Sequence, residues 1–177
     1  MNKKLNEDVK KALYTRDREF IAEHIGQIKD PYLVYRYAEE IVRGKVSSRL
    51  ENIIAKGAGA SFYYARYILR NRFLKGEDAI AKDAYYSYWY SKNVLKAPFR
   101  KGEKSIAKNV EMSNWYAQVV LKERFRKGEK SLVKCDTPWF LANYCEFLQK
   151  IGKLKEFLKD FPEVRIILKD TLKVKSM

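Results

Sequence analysis

A unit of about 26 residues is repeated three times in tandem between Ala58 and Lys134, and it constrains the fold more than any other feature of the chain. The copies read AGASFYYARYILRNRFLKGEDAIAKD, AYYSYWYSKNVLKAPFRKGEKSIAKN and VEMSNWYAQVVLKERFRKGEKSLVK. Each contains the core F-x-K-G-E, which gives Phe73, Phe99 and Phe125 the same repeat position. A fixed period in the twenties is typical of stacked repeats, in which each unit buries its apolar face against its neighbours.

Each copy has the pattern of two helices joined by a turn. Ala65, Ile68 and Leu69 lie at helical spacing on one face of a first helix, and Ile80 is the inward anchor of a short second helix. Pro98 ends the first helix of the middle copy at about Ala97. The turn glycines at positions 76, 102 and 128 are expected to take the left-handed backbone conformation. The predicted fold is all-α, an α-solenoid of about six short helical hairpins that is similar to HEAT-type repeats.

Weaker copies of the pattern extend to both sides of the regular block. Asp30-Pro31 predicts a helix N-cap followed by proline at the first helical position, and Asp136 to Trp139 opens a later copy in the same way. Asn6 to Ile28 is interpreted as a divergent helical pair, and Pro162 to Lys173 as a capping helix. The sequence thus predicts a single domain over 1–177, with an N-terminal cap at 1–29, a degenerate repeat at 30–57, regular repeats at 58–134, and a degenerate repeat with the C-terminal cap at 135–177.

The repeat also carries a resemblance. The string Y-A-x-x-V-L-K-x-R-F-x-K-G-E-x-x-[IL]-[AV], which spans Tyr116 to Val133, is similar to a short helical repeat found in uncharacterised bacteriophage-encoded proteins. The similarity covers a little under half of the chain and brings no catalytic residue with it. It implies a phage or mobile-element origin, where small non-enzymatic proteins often bind host machinery or nucleic acid.

Positive charge is concentrated in the regular repeats. The chain has 37 Lys and Arg against 22 Asp and Glu, a net charge of +15. The block from Ala58 to Lys134 holds seventeen of the basic and seven of the acidic residues, which gives +10. Repeated cations become ridges when repeats stack, and a cationic ridge suits a phosphate backbone without any base preference. The predicted nucleic-acid-binding residues are Arg70, Lys75, Lys82, Lys96, Arg100, Lys101, Lys108, Lys122, Arg126, Lys127 and Lys134.

Aromatic residues form two neighbouring columns in the repeats, one of Tyr64, Tyr90 and Tyr116 and one of Tyr63, Trp89 and Trp115. Adjacent helical positions point about 100° apart, so at least one column is expected to be partly exposed. Aromatic faces beside cations stack the bases of single-stranded nucleic acid, whereas aromatic stripes at helical spacing are more often core. The second column also supplies candidate anchors for a protein partner.

Catalytic patterns are missing from the sequence. His24 is the only histidine, which leaves no ordinary zinc site and no metal site is predicted. The glutamates at 77, 103 and 129 are attributed to helix capping, and no nucleophile, base and orienting group occur together. We therefore predict a non-enzymatic protein without a cofactor, a metal or a small-molecule substrate.

Two binding functions of different class remain open. The first is binding to nucleic acid, DNA or RNA, through the cationic face. The second is a phage effector that binds and inhibits a host protein or ribonucleoprotein complex, such as a defence system. The chain has no apolar run of the ~20 residues that would cross a bilayer, and its first residues lack the apolar stretch of a signal peptide. No membrane partner is expected, and a cytoplasmic location is predicted.

Overall fold

The computed structural model describes residues 3–167, and this part of the chain is helical with no β-strand. It divides into two compact units, one formed by the described residues up to Gly102 and one by those from Glu103 onward. The division falls within the second regular repeat, immediately after its turn glycine Gly102. The predicted all-α class is confirmed for the described residues.

The first unit contains three complete helical pairs and the first helix of a fourth pair. Its helices are α1 (Lys3–Thr15), α2 (Arg18–His24), α3 (Pro31–Tyr37), α4 (Ser48–Ile54), α5 (Ala58–Tyr63), α6 (Glu77–Ile80) and α7 (Ala84–Tyr90). The first helices of successive pairs pack in a row, with α1 against α3, α3 against α5, and α5 against α7. Each pair thus buries its apolar face on the next pair.

The second unit is built in the same way. Its helices are α8 (Glu103–Ile106), α9 (Val110–Trp115), α10 (Arg126–Val133), α11 (Pro138–Lys150) and α12 (Leu154–Asp160), with a further helical turn at residues 164–167. Here α9 packs against α11 and α8 against α10. The predicted capping helix from Pro162 to Lys173 begins within the described residues, while its part beyond Ile167 lies outside them.

Most of the predicted helix signals are confirmed. The Asp30 carboxylate accepts hydrogen bonds from the Tyr32 and Leu33 backbone N–H groups, and Pro31 occupies the first helical position. The predicted pair at Asn6 to Ile28 corresponds to α1 and α2. Asp83 and Asn109 cap α7 and α9 through their side chains, because an Asx oxygen satisfies a backbone N–H that the first turn leaves unpaired.

The first helices of four pairs do not end as α-helices. A π-helical turn, with wider i→i+5 hydrogen bonding, continues α3, α5, α7 and α9. These turns span Ala38–Val42, Tyr64–Leu69, Ser91–Leu95 and Tyr116–Leu121. A regular 3.6-residue pattern does not distinguish such a turn from an α-helix, so the repeat spacing did not predict it.

The buried core residues follow the period of the sequence repeat. The second-helix anchors Ile80, Ile106 and Leu132 have no exposed surface, as predicted. Phe73, Phe99 and Phe125 are also buried, and each ring packs edge-on against the tyrosine at the π turn of its own copy, with ring centroids 5.0–5.2 Å apart. The Phe column therefore fills the space between the two helices of a pair.

The turn glycines contradict the expectation of a left-handed backbone. Gly76 has φ −92°, and the only glycine with positive φ among residues 3–167 is Gly152. A Cβ atom at Gly76 would lie 2.4 Å from the Ser61 hydroxyl oxygen and 2.6 Å from the Phe73 ring. Gly102 and Gly128 are equally close to Ser87 and Ser113. Glycine is required here because the second helix starts directly against the serine of the first helix.

Those serines connect successive pairs. Ser61, Ser87 and Ser113 are completely buried, and their hydroxyls donate to the carbonyls of Ile54, Ile80 and Ile106 at the end of the preceding second helix, at 3.1, 2.8 and 2.9 Å. A small polar residue at this position satisfies a carbonyl that the helix end leaves free. Because serine is small, it also allows the turn glycine of the same copy to approach closely.

The glutamates attributed to helix capping lie in the first turns of α6, α8 and α10, and they are also buried hydrogen-bond acceptors. Glu51, Glu77, Glu103 and Glu129 are at most 6% exposed. Each carboxylate accepts a hydrogen bond from the buried tyrosine of the following pair. The four donors are Tyr64, Tyr90, Tyr116 and Tyr144, at 3.2, 3.0, 3.2 and 2.8 Å.

Candidate nucleic-acid interface

A cation with left-handed backbone geometry stands at the end of five first helices. These residues, the left-handed cations, are Arg16, Arg43, Arg70, Lys96 and Lys122, with φ between 51° and 59°. They are all of the non-glycine residues with positive φ in the described part of the chain. Three of them, Arg70, Lys96 and Lys122, belong to the predicted phosphate-binding set.

The backbone at the helix end fixes this geometry. The N–H groups of Arg70 and Asn71 both donate to the Ala65 carbonyl, and the N–H groups of Lys122 and Glu123 share the Ala117 carbonyl in the same way. Residues with a Cβ atom adopt this conformation at a cost of about 1–2 kcal/mol, and helix ends usually place glycine there. The negative end of the helix dipole favours a cation by about 0.3–1 kcal/mol, which offsets part of that cost.

The left-handed cations are exposed to solvent. Within residues 3–167 their side chains make no hydrogen bond and no ion pair, and the same is true of Lys108 and Lys134, two of the predicted cations that follow the second helices. The third, Lys82, interacts electrostatically with Asp78 and helps to lower the pKa of that carboxyl. Unpaired cations keep their full field toward solvent. They remain available to an anion without breaking an internal contact.

The turn lysines of the predicted set have internal partners. Lys75 reaches back to Glu51 at 3.0 Å, and Lys127 reaches back to Glu103 at 2.6 Å. Lys101 pairs with the exposed Asp78 at 2.5 Å, and this hydrogen bond and charge lower the pKa of the Asp78 carboxyl. These lysines therefore neutralise carboxylates of the preceding pair while their chains remain partly open to solvent.

The two remaining predicted arginines lie in the turns of the second and third copies. Arg126 is exposed and pairs with Glu156 and with Asp160, the latter at 3.3 Å. Arg100 is exposed in the turn of the second copy. The predicted set thus includes cations without internal pairs, led by Arg70, Lys96 and Lys122, and cations that take part in folding contacts, such as Lys75, Lys127 and Arg126.

The structure distinguishes the two aromatic columns. Tyr64, Tyr90 and Tyr116 have no exposed surface, and desolvation raises the pKa of Tyr64 and Tyr90 to about 12. In the other column Tyr63 and Trp89 are half-buried and Trp115 is exposed. The expectation that one column is partly exposed is confirmed, and that column holds the candidate partner anchors.

Sequence reasoning missed several exposed residues. Arg43 follows Ile41 and Val42 as Arg70 follows Ile68 and Leu69, so alignment of the degenerate repeat would have identified it. Arg16 has no such alignment. The half-exposed Tyr67 is specific to one copy, and the half-exposed Tyr32 and Tyr85 share a repeat position that Gly59 and Glu111 occupy in the other two regular copies, so neither position forms an aromatic column.

Other kinds of site are not found in the described residues. Among residues 3–167 no three His, Cys, Asp or Glu side chains lie close enough together to hold a metal ion. His24 makes one hydrogen bond within α2, from its Nδ1 to the Phe20 carbonyl 2.8 Å away. No helix in this part of the chain is long and apolar enough to span a membrane.

Comparisons with protein families, with curated proteins and with solved structures gave no match to this chain. The candidate interface therefore rests on its own geometry.

Proposed function

We propose that this protein is a non-enzymatic binding protein that holds the backbone of DNA or RNA on a face of the first unit marked by its left-handed cations, Arg16, Arg43, Arg70 and Lys96. The observation that carries the proposal is their recurrence. Four helix ends of this unit place an unpaired Arg or Lys at a backbone geometry that ordinarily favours glycine. Backbone strain of this kind tends to persist where a residue has a functional role.

The proposal includes a solenoid arrangement of the helical pairs. It is supported within the first unit by the row α1, α3, α5 and α7, and within the second unit by the contact of α9 with α11. Adjacent packed helices are roughly 8–10 Å apart, so a cation at the same point of each helix gives a regular ladder of charge. A ladder of constant pitch matches a polymer of constant charge spacing.

Electrostatics favour a phosphate polymer as the ligand. Residues 58–102 contain nine basic and three acidic residues, a net charge of +6. Two of the three carboxylates, Glu77 and Asp78, are already paired with Arg72 and Lys101. Binding of such a face to nucleic acid releases condensed counterions, which supplies affinity independent of base sequence.

The test uses a variant that removes charge and keeps the backbone. In the triple variant Arg43→Gly, Arg70→Gly and Lys96→Gly, glycine fits the left-handed conformation, so helical content should be preserved. We expect weaker binding to labelled DNA and RNA oligonucleotides, measured by fluorescence anisotropy over a salt series. The slope of log affinity against log salt should become shallower by about 0.7–0.9 for each phosphate that the variant no longer binds.

A matched control removes three charges elsewhere in the same unit. The substitutions Lys11→Gln, Lys29→Gln and Lys56→Gln alter exposed lysines that are not among the left-handed cations, and they give the same net charge as the glycine variant. If the control variant weakens binding as much as the glycine variant does, the left-handed cations have no special role in binding. A protein that binds no oligonucleotide at low salt rejects the proposal altogether.

The alternative function is an effector that binds a host protein complex, and one observation favours it. Trp115 and Val119 are exposed one helical turn apart in the second unit, at 36% and 37%. Aromatic residues dominate protein interfaces. Capture of a host protein that persists after nuclease treatment and is abolished in Trp115→Ala would support this alternative over the first function.

A further inference from the structure

Aromatic rings form a continuous surface on α3, α5 and α7 of the first unit. Tyr35 of α3 stacks on Tyr63 at 5.7 Å, and Tyr63 stacks on Tyr67 at 6.1 Å. Tyr63 also meets the edge of Tyr86 at 6.0 Å. Through Tyr86 and Tyr85 the contacts continue to Trp89. We call the outward-facing members the aromatic ridge: Tyr32, Tyr63, Tyr67, Tyr85, Tyr86 and Trp89.

The rings of the aromatic ridge are only partly buried in the core. Tyr32, Tyr67 and Tyr85 are 48%, 49% and 50% exposed, one on each of the three neighbouring first-helix segments. Each is in ring contact with a more buried aromatic residue, which holds it in place. The unit therefore presents three supported rings toward solvent, each with a free part of its surface.

Cations lie directly against these rings. The Arg66 guanidinium lies 5.1 Å from the centre of the Tyr67 ring, and the Lys92 ammonium lies 4.8 Å from the centre of the Trp89 ring. About one helical turn further along the same segments stand Arg70 and Lys96. These two segments, which begin with α5 and α7, thus each carry a ring, a cation beside the ring and a left-handed cation at the end.

This combination favours nucleic acid over a protein partner. An apolar protein surface docked on the ridge would bury Arg66 and Lys92 without a counter-charge, which is costly. A nucleic acid places phosphates near the cations and base faces near the rings. Guanidinium planes themselves also stack on bases.

We infer that the aromatic ridge stacks unpaired bases, so that the ligand of the cationic face is single-stranded nucleic acid. This inference rests on the proposed function, because the left-handed cations hold the backbone while the ridge holds the bases. The bases of a duplex are stacked on one another and cannot lie on a protein ring. Stacking on aromatic side chains tolerates any base, so no base preference is expected.

The experiment compares three ligands of equal length: a single-stranded thymidine oligonucleotide, its duplex with the complementary strand, and an abasic single strand. We expect the wild-type protein to bind the thymidine strand most tightly. The ridge variant Tyr67→Leu, Tyr85→Leu and Trp89→Leu should lose roughly 5- to 100-fold in affinity for each base that no longer stacks. Its affinity for the abasic strand should be unchanged.

A matched variant controls for loss of aromatic surface in general. Tyr14→Leu with Trp139→Leu removes two rings that are 90% and 51% exposed outside the ridge, and it should bind the thymidine strand as the wild type does. Should the ridge variant lose its helical circular dichroism signal, the single variant Tyr67→Leu gives the same comparison. In a Trp115→Phe, Trp139→Phe background, stacking is then read as quenching of Trp89 fluorescence by the thymidine strand.

The outcomes separate the inference from the proposed function. Equal wild-type affinity for the thymidine and abasic strands, with loss of binding in the glycine variant, overturns the inference and leaves the backbone function intact. Absence of binding to all three ligands overturns both. Loss of a protein partner in the ridge variant, with nucleic-acid affinity unchanged, also overturns the inference and assigns the ridge to protein recognition.

Discussion

Equivalent surfaces of the two units have the same backbone and different chemistry. On the first unit, Arg66 and Tyr67 occupy positions that Gln118 and Val119 occupy on the second. Arg66 lies over the Tyr67 ring, whereas the Gln118 amide donates at 2.7 Å to Asn114 and at 2.7 Å to Asn143 of α11. The repeat therefore fixes where a side chain projects, and each copy decides what that side chain contacts.

The buried contacts, in contrast, have the same chemistry in both units and differ in how far they are exposed to solvent. The tyrosine-to-glutamate hydrogen bond recurs in both units, and an arginine pairs with the glutamate in each. In the first unit, Arg72 pairs with Glu77 while its own side chain is 54% exposed. In the second unit, Arg124 pairs with Glu129 and is only 3% exposed, since it also contacts Asp160 at 2.8 Å. The arginine of this contact is thus about half exposed to solvent in the first unit and almost completely buried in the second.

The largest expected effect on stability comes from removing the arginine of these arginine–glutamate contacts. Arg124→Met leaves the buried Glu129 carboxylate without its cation and should lower the free energy of unfolding by about 3–5 kcal/mol. Arg72→Met should cost less than half as much, because water already screens that pair. Chemical denaturation of both variants measures the difference. Equal losses would show that the exposure of the arginine does not control the strength of the contact.

The next effect should be the same in both units. Gly76→Ala and Gly128→Ala place a Cβ atom 2.4 and 2.5 Å from the hydroxyl oxygens of Ser61 and Ser113, and each should cost about 1–3 kcal/mol. Gly26→Ala is the control, since a Cβ there meets nothing within 4 Å. Thermal unfolding distinguishes the three. A large loss at Gly26 would show that helix-end flexibility, and not close approach, explains the effect.

A smaller effect distinguishes the two kinds of left-handed residue. Gly152→Ala forces a Cβ atom into the left-handed conformation at φ 72° and should cost about 1–2 kcal/mol. Lys122→Gly relieves the same strain, removes a favourable charge at the helix end, and should change stability by less than about 1 kcal/mol. Denaturant midpoints of the two variants test this. A strong loss in Lys122→Gly would indicate that this lysine is retained for folding.

A further effect is a dependence of the stability on alkaline pH. Burial raises the pKa of Tyr90 from 10.0 to about 12, so the unfolded chain loses this proton first as pH rises. Stability from Tyr90 is complete below pH 10 and is lost between pH 10 and 12. Desolvation also raises the pKa of Tyr144. Unfolding midpoints measured across this range, together with tyrosinate absorbance, test the direction, and Tyr90→Phe should have a shallower dependence.

Much of the local structure was predictable. The repeat spacing identified the helical pairs and the buried anchors Ile80, Ile106 and Leu132, because each copy repeats the same pattern of apolar positions. Asp30 and Pro31 marked a helix start through the chemistry of capping. The rule that adjacent helical positions face different ways also predicted a half-exposed aromatic column.

The candidate interface was predictable only in outline. The sequence identified the cation columns without indicating which members are paired. Lys127 is paired with Glu103 and Lys96 is not paired, although both are exposed lysines at regular repeat positions. Pairing depends on which carboxylate of the preceding copy lies within reach. That distance arises from packing between helices and not from spacing along one of them.

The amino-acid sequence alone specifies a helical protein with a repeating buried face and an excess of positive charge, because periodicity, apolar content and charge are properties of the chain. The roles of the glycines and glutamates come from packing. The residues of the F-x-K-G-E core suggested a left-handed turn followed by a helix cap, yet Gly76 is small because Ser61 lies against it, and Glu77 is buried because Tyr90 of the next pair donates to it. The left-handed conformation lies instead at Arg70 and its equivalents, since a π turn shifts the end of the first helix to a cation. Contacts between neighbouring copies fix these roles, and a single copy of the repeat does not contain them.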